Sequence, residues 1–254
     1  MGRYREQLEC AKEWYCLWNT KPTDPGAIQA AFALIDSCMA NKEYADAHLY
    51  ASTLWEIINH KHDNKIPDDR RQWYIARGAY FLALATLHLA NSGGIPPEKK
   101  QKTGQEVIAL ARRSLDIHTQ LSGTDINVAN GMTTLADVLN YFNNDGNDEV
   151  IHLYEQAIVI YARDFGSSSV NMAVVENNLG TVYYRRAENA HDVNDLDREH
   201  ANLELALPHY CKAARIYRAV GHVESADKAA QRVIEVEELL RQLTTATGTT
   251  ATKG

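Results

Sequence analysis

The sequence predicts an all-α fold in which about four helical hairpins stack between an N-terminal helix and a C-terminal capping helix. The first observation is the segment 149–161, where apolar side chains recur at helical spacing and polar ones fall on the opposite side. The second is that residues 106–118 and 205–217 repeat this pattern. A single hairpin cannot bury its apolar face alone, so repeated hairpins are expected to stack and share a continuous core.

The N-terminal part of the chain predicts a separate helix and the first hairpin. Residues 3–18 lack helix breakers and carry apolar side chains at helical spacing. Asp24 followed by Pro25 is typical of a helix N-terminus, because the carboxylate caps free N–H groups and proline fits the first turn. Helices over 27–40 and 43–59, joined by a tight turn, then form the first hairpin.

The second and third hairpins follow directly. The second pairs a helix over 68–91 with one over 99–121, and the breaker sequence SGGIPP separates them. Gly78 costs its helix about 1 kcal/mol of propensity relative to Ala, so we expect a neighbouring helix to approach closely there. The third hairpin pairs a helix over 126–141 with the segment 149–161 across the polar turn NNDGND.

The fourth hairpin and the cap complete the chain. This hairpin begins at Val170, and the residues before its second helix, 188–204, are charged and helix-compatible, which predicts that both helices extend. An amphipathic helix over 225–243 has the polar outer face that a terminal cap needs. The predicted organisation is an N-terminal helix over 1–20, a repeat domain over 21–243 and a disordered Thr/Ala/Gly tail over 244–254.

Composition bears on partners and cellular setting. The chain has 26 Lys and Arg against 33 Asp and Glu, a net charge of −7, which opposes nucleic-acid binding because phosphates require clustered cations. No apolar run approaches the roughly 20 residues that span a bilayer, and the N-terminus lacks an apolar signal core. We therefore expect a soluble, intracellular, cytoplasmic protein that has neither nucleic acid nor membrane as a partner.

The sequence carries no motif typical of catalysis or cofactor binding. It contains no G-x-S-x-G, H-E-x-x-H, Gly-rich phosphate loop or C-x-x-C, so we expect no enzymatic activity and no cofactor. His60 and His62 could hold a metal, as in a small metalloenzyme, although a solvated polar loop accounts for them better. The four cysteines are scattered and are expected to be reduced thiols.

Two stretches combine a small residue in a first helix with a large ring in a second helix. They are Leu135, Ala136, Leu139, Val150, Tyr154 and Ala157, and Leu179, Gly180, Tyr183, Ala206, Tyr210 and Ala213. This pattern resembles the tetratricopeptide repeat (TPR), whose small residue lets the second helix approach while the ring fills the gap between units. The period of about 43 residues exceeds the usual ~34 and is similar to the longer repeats of kinesin light chains.

The resemblance covers about residues 27–242 and implies a right-handed superhelix. Two residues depart from the pattern of the family. Arg77 stands where Leu is usual, and Glu176 stands where a bulky apolar residue is usual.

The resemblance also implies where a partner binds. In that family the first helix of each hairpin lines a concave groove that receives an extended peptide or a partner helix. The polar and aromatic residues at these positions are Asn130, Thr133, Asp137, Asn140, Tyr141, Asn177, Thr181, Tyr184 and Arg185. Asparagine can both donate to and accept from a peptide backbone. The alternative is that these side chains are merely solvated. The Lys and Asn set with which some members clamp a terminal carboxylate is not evident.

The function expected is therefore that of a non-catalytic scaffold or adaptor for protein–protein interaction. More loosely, the chain resembles the helical-repeat region beside a MYND zinc finger, but the paired cysteines of that finger are missing here. The second hypothesis is accordingly the interaction domain of a larger enzyme or MYND-type regulator, with the catalytic or zinc module outside this chain.

Overall fold

The computed structural model describes residues 24–59, 66, 68–143 and 148–251. Within these ranges the chain forms nine α-helices and no strand, which confirms the predicted all-α class. The helices are α1 (Pro25–Ala40), α2 (Tyr44–Asn59), α3 (Asp68–Asn91), α4 (Pro97–Ser122), α5 (Ile126–Phe142), α6 (Asp148–Phe165), α7 (Val170–Asp192), α8 (Leu196–Ala219) and α9 (Val223–Ala251). The predicted helix over 3–18 and the loop with His60 and His62 lie outside the described residues.

The chain divides into two compact units, Met1–Asn143 and Asn144–Gly254, called unit 1 and unit 2 below. Unit 1 contains α1 to α5, and unit 2 contains α6 to α9. The helices predicted to form the third hairpin, α5 and α6, thus belong to different units, so their pairing stays a prediction. None of the described helices has the length and hydropathy needed to cross a bilayer.

In unit 1, α1 pairs with α2 and α3 with α4, as predicted, while α5 packs on both α3 and α4. Among the first helices, α3 packs directly on both α1 and α5. Asp24 caps α1, since its Oδ1 accepts hydrogen bonds from Gly26 N at 2.9 Å and Ala27 N at 3.2 Å. A Cβ at Gly78 would lie 3.4 Å from Ile58 Cδ1 on α2, which is the close helix approach that Gly78 predicts.

In unit 2, α7 and α8 form the predicted hairpin, α6 packs on α7, and α9 packs on α8. The helices of the hairpin are longer than the repeat segments, as the charged residues 188–204 predict. A tight turn separates them at Asn194, whose φ is +56°, a conformation that Asn tolerates better than most residues. The second helix therefore begins at Leu196, well before the repeat segment at 205.

The closing helix α9 runs to Ala251, past the predicted end at Leu243. Two threonines of this segment form hydrogen bonds inside the helix. Thr244 Oγ1 donates to the carbonyl of Leu240 at 2.8 Å, and Thr245 Oγ1 donates to that of Gln242 at 2.8 Å. These bonds satisfy the two hydroxyl groups without a partner outside the helix, whereas the hydrophobic pattern alone did not indicate a helix here.

Candidate functional site

Two adjoining cavities open on unit 1 and together define the unit-1 cleft. One has a volume of about 470 Å³ and the other about 240 Å³, and both are lined by His118 and Asn127. The larger cavity is also lined by Gln29, Arg70, Trp73, Tyr74 and Asp125. The smaller cavity is also lined by Asp36, Arg77, Tyr80, Phe81 and Asn130.

Helical spacing explains why these side chains share one cleft. On α3 the residues Arg70, Trp73, Arg77 and Tyr80 are three or four positions apart, so they lie on one face of the helix. The neighbouring first helices contribute Asp36 from α1 and Asn127 and Asn130 from α5, while His118 comes from the last turns of α4. The cleft is therefore built mainly by the first helices of successive hairpins.

Arg77 is the central cation of the smaller cavity. Its guanidinium carbon lies 4.9 Å from the ring centre of Phe32, 5.0 Å from that of Trp73 and 5.5 Å from that of Phe81. These distances are in the range of favourable cation–π contacts. In the part of the chain that the structure describes, Arg77 makes no ion pair within 4 Å. The rings thus stabilise an arginine at a position where the repeat normally has Leu.

Asp36 places a carboxyl group beside this arginine. Although the side chain is exposed at the mouth of the cavity, the surrounding protein desolvates the carboxyl and raises its pKa from 3.8 to about 6. The positive charge of Arg77 acts in the opposite direction and limits the rise. At neutral pH Asp36 is therefore mostly ionised.

The other titratable groups of the smaller cavity are uncharged at neutral pH. Burial raises the pKa of Tyr80 to about 12, and the carboxylates of Asp36 and Asp137 act in the same direction. Burial lowers the pKa of His118, which is 5% exposed, so its imidazole is neutral. Both side chains can therefore act as neutral hydrogen-bonding groups toward a ligand.

The N-terminus of α5 is fixed at the point where the two cavities meet. Asp125 Oδ1 accepts hydrogen bonds from Asn127 N at 2.9 Å and Val128 N at 3.1 Å, and Asn127 Nδ2 donates to Asp125 Oδ2 at 3.1 Å. Desolvation would raise the pKa of Asp125, but these hydrogen bonds outweigh it and hold the pKa below 3.8. The cap thereby orients the Asn127 amide between the cavities.

Three of the five groove residues predicted in unit 1 have described roles. Asn130 lines the smaller cavity. The Thr133 hydroxyl donates to the carbonyl of Ala129 at 2.9 Å within the same helix. The Tyr141 hydroxyl donates to the carbonyl of Ala90 at 2.9 Å, and Lys100 lies 4.6 Å from its ring centre. Tyr141 thus packs against α3 and α4. Asp137 and Asn140 are half-buried on the same helix.

The groove residues predicted in unit 2 are all half-buried on α7: Asn177, Thr181, Tyr184 and Arg185. Thr181 Oγ1 accepts a hydrogen bond from the Tyr210 hydroxyl at 3.1 Å. Arg232 of α9 lies 5.6 Å from the ring centre of Tyr184. Two of the four residues therefore contact the helices that follow α7 in this unit.

Unit 2 also contains a buried carboxylate at the second departure from the repeat pattern. Glu176, 1% exposed, accepts hydrogen bonds from Lys212 Nζ and from His209 Nδ1, the latter at 2.8 Å. Desolvation would raise its pKa, but the hydrogen bonds from His209 and Lys212 outweigh it and hold the pKa below 4.5. The carboxylate thus joins α7 to α8 where the repeat normally places an apolar side chain.

No group of three or more His, Cys, Asp or Glu side chains in the described ranges is arranged to hold a metal ion. Cys38 is buried and Cys211 is exposed, and neither forms a disulfide within the described residues.

Sequence reasoning missed most of the unit-1 cleft. It did not indicate Asp36, Tyr80, His118 or Asn127 as site residues, and it noted Arg77 only as a departure from the repeat. That departure was the available signal, because an arginine within the apolar face of a helix needs a special environment.

Comparison with solved structures identifies the class of this fold. Two crystal structures of kinesin-light-chain TPR-like repeats from Podosopora anserina match it with a TM-score of 0.50 each. Their identities to this chain are 16% and 17%; the matches cover 86% and 84% of this chain and 98% and 96% of theirs. The structure of BtubC (BKLC) from P. vanneervenii is 16% identical, with coverage of 94% and 92% and a TM-score of 0.49.

The chain therefore has a TPR-like helical-repeat fold. The predicted resemblance to TPR proteins, and to the longer repeats of kinesin light chains, is confirmed for the fold. No family model matches the sequence. No curated protein matches it either.

Proposed function

We propose that this chain is a non-catalytic scaffold or adaptor that binds an extended segment of a partner protein along its first helices. The observation that carries the proposal is the unit-1 cleft, where α3 packs on both α1 and α5 and these helices line two adjoining cavities. A TPR-like fold is compatible with this use. The surface combines aromatic side chains with amide and hydroxyl groups, the mixture that peptide-binding grooves employ.

The cleft offers both kinds of contact that an extended peptide needs. Asn127 and Asn130 can each donate to and accept from a peptide backbone, whose N–H and C=O groups alternate along the chain. Trp73 and Tyr74 give the larger cavity an apolar wall for a side chain of the peptide. Backbone contacts would supply affinity and the cavities would supply selectivity.

The remaining predicted groove residues are part of the same proposal. Thr133, Asp137, Asn140 and Tyr141 extend the first-helix surface of unit 1, and Asn177, Thr181, Tyr184 and Arg185 form a separate contact surface on α7. We propose that the protein acts in the cytoplasm, uses no cofactor and has no nucleic-acid or membrane partner. Its repeat domain is proposed to span residues 21–243, with a separate N-terminal helix over 1–20. The tail over 244–254 was predicted to be disordered, whereas α9 continues through it as far as Ala251.

The second hypothesis differs in what lies outside the chain. An interaction domain of a larger enzyme or MYND-type regulator would use the same cleft beside a catalytic or zinc module. Reading the genomic sequence beyond both ends of this chain for paired cysteines distinguishes the two. A continuous reading frame that encodes such a module would favour the second hypothesis, and stop codons at both ends would favour the first.

A peptide that binds the cleft is expected to lose affinity when Asn130 is replaced by Ala. Peptides are first selected from a displayed random library against the intact chain, and affinities are then measured by fluorescence polarisation. Loss of one or two hydrogen bonds at Asn130 should weaken binding by about five- to tenfold. Asn91→Ala is the matched control, because Asn91 is an exposed asparagine at the C-terminal end of α3 and does not line the cleft. This variant should leave affinity unchanged.

Two outcomes would contradict this proposal. One is selection of no binding peptide from the library. The other is equal affinity in the wild type, Asn130→Ala and Asn91→Ala, which would place peptide binding away from the cleft. Asn177→Ala and Arg185→Ala test the α7 surface in the same assay and are expected to weaken peptides that bind there.

A further inference from the structure

The smaller cavity contains a cation whose charge the surrounding protein only partly balances. Arg77 is half-buried, and its guanidinium lies over three aromatic rings. Ring contacts use the faces of a guanidinium, whereas its five N–H donors lie in its plane and suit oxygen acceptors. No described carboxylate lies within ion-pair distance of Arg77. An oxyanion in the cavity would therefore find planar donors that the fold has already positioned.

The groups that face Arg77 across the cavity favour a singly charged oxyanion. Among the described residues that line this cavity, only Asp36 from α1 carries a negative charge. Tyr80 from α3 and His118 from α4 are neutral, and Asn127 and Asn130 from α5 are uncharged amides. Arg77 attracts a phosphate dianion about twice as strongly as a carboxylate, but Asp36 also repels it about twice as strongly. The two opposite charges therefore leave little net attraction to offset the larger desolvation cost of the dianion.

We infer that the smaller cavity binds the side-chain carboxylate of a Glu or Asp residue in the bound peptide, with the guanidinium of Arg77 donating to it. This inference rests on the proposed function and specifies the peptide class. The volume of about 240 Å³ suits a single side chain rather than a helix. Arg77 lies in the middle of α3, which spans Asp68–Asn91, so the peptide backbone can pass the cavity in both directions. That position favours an internal side chain over a chain terminus.

Asp36 then acts as a selectivity group. Its carboxylate partly balances Arg77 when the cavity holds no ligand, and it repels the incoming carboxylate. Replacing it by Asn keeps the size of the side chain and removes the repulsion. Asp36→Asn should therefore bind acidic peptides about threefold more tightly than the wild type, since the two charges interact through a solvent-exposed mouth.

The probes are four nonapeptide libraries that are random except at the centre. Three have acetylated and amidated ends and carry Glu, Gln or phosphoserine at the centre. The fourth carries Gln at the centre and has a free terminal carboxylate. In fluorescence polarisation with the intact chain, the Glu library should bind about tenfold more tightly than the Gln library, because charge-assisted hydrogen bonds are lost with Gln.

Arg77→Gln should abolish the preference for Glu over Gln. Arg113→Gln is the matched control, because Arg113 also lies over a ring, that of Trp55 at 5.1 Å, but is exposed on α4 outside the cleft. This control should keep the tenfold preference. Circular dichroism verifies that each variant folds. If Arg77→Gln does not fold, the inference is tested by whether Asp36→Asn binds the Glu library more tightly than the wild type does.

The inference is overturned if folded Arg77→Gln still prefers the Glu library, or if Asp36→Asn fails to tighten its binding. Tightest binding of the phosphoserine library or of the free-carboxylate library would also overturn it, and would assign the cavity to a phosphate or to a chain terminus. Equal binding of the Glu and Gln libraries would contradict this inference but would still agree with the proposed function of peptide binding. No binding of any library contradicts the proposed function itself.

Discussion

Tyr210→Ala is expected to lower the free energy of unfolding by about 3–5 kcal/mol, the usual cost of truncating a buried aromatic side chain. Tyr210 is 1% exposed and belongs to a core with Leu203, Ala206 and Val236. Its ring covers Gly180, where a Cβ would lie only 3.0 Å from Tyr210 Cδ1. Removing the ring leaves a cavity between α7 and α8 that the backbone can close only by moving a whole helix.

Tyr210→Phe is the control for this substitution. It keeps the ring and removes only the hydroxyl that donates to Thr181 at 3.1 Å, so its expected cost is about 1 kcal/mol. Urea denaturation followed by circular dichroism gives both values. If the free energies of unfolding of Tyr210→Ala and Tyr210→Phe differ by less than about 1 kcal/mol, the ring does not hold the hairpin together.

The double variant His209→Ala/Lys212→Ala is expected to have a free energy of unfolding about 2–3 kcal/mol lower than that of the wild type at neutral pH, because the Glu176 carboxylate stays buried without these two partners. The Glu176 side chain is 2% exposed, whereas those of His209 and Lys212 are 26% and 37% exposed. Solvent screens these two partners in part, so the expected loss lies below the ~3–5 kcal/mol typical of fully buried pairs. The same urea assay measures it.

Glu176→Leu is the matched variant, because it restores the apolar side chain that is usual at this position and removes the buried charge. Its stability at neutral pH is expected within about 1 kcal/mol of the wild type. The folded pKa of Glu176 lies below 4.5, so its contribution is present above about pH 4.5 and is lost as the pH falls through the folded pKa. The wild type should therefore lose stability relative to Glu176→Leu in acid. A double variant as stable as the wild type would contradict this account of Glu176.

Most of the fold could be predicted from the sequence, because helical periodicity depends on residues that are close together along the chain. Apolar spacing located α1 to α6 and the start of α7 within a few residues, whereas α8 begins well before its repeat segment. Gly78 and Tyr210 indicated where helices approach and where a ring fills the gap. The exact turn at Asn194 was not predicted, because the charged residues on both sides are compatible with helix and Asn is not a strong breaker. The helical periodicity does not indicate that the chain divides into two units between α5 and α6.

The unit-1 cleft was less predictable because its residues come from four helices. Asn130 was found through its place on a first helix, but Asp36 and His118 reach the cavity only through tertiary packing. Nothing near Asp36 in the sequence indicates a neighbouring Arg77. Tyr141 was also predicted from its first-helix position, and only tertiary packing shows that its hydroxyl donates to the carbonyl of Ala90.

The claim that a peptide occupies the unit-1 cleft is tested most directly by fluorine NMR of the chain labelled with 5-fluorotryptophan. Trp73 lines the larger cavity, while Trp55 lies on α2 beneath Arg113. Substitution of each tryptophan by Phe assigns its signal. Saturation with the peptide selected for binding should shift the Trp73 signal and leave that of Trp55 unchanged. A bound peptide that leaves the Trp73 signal in place would contradict the account.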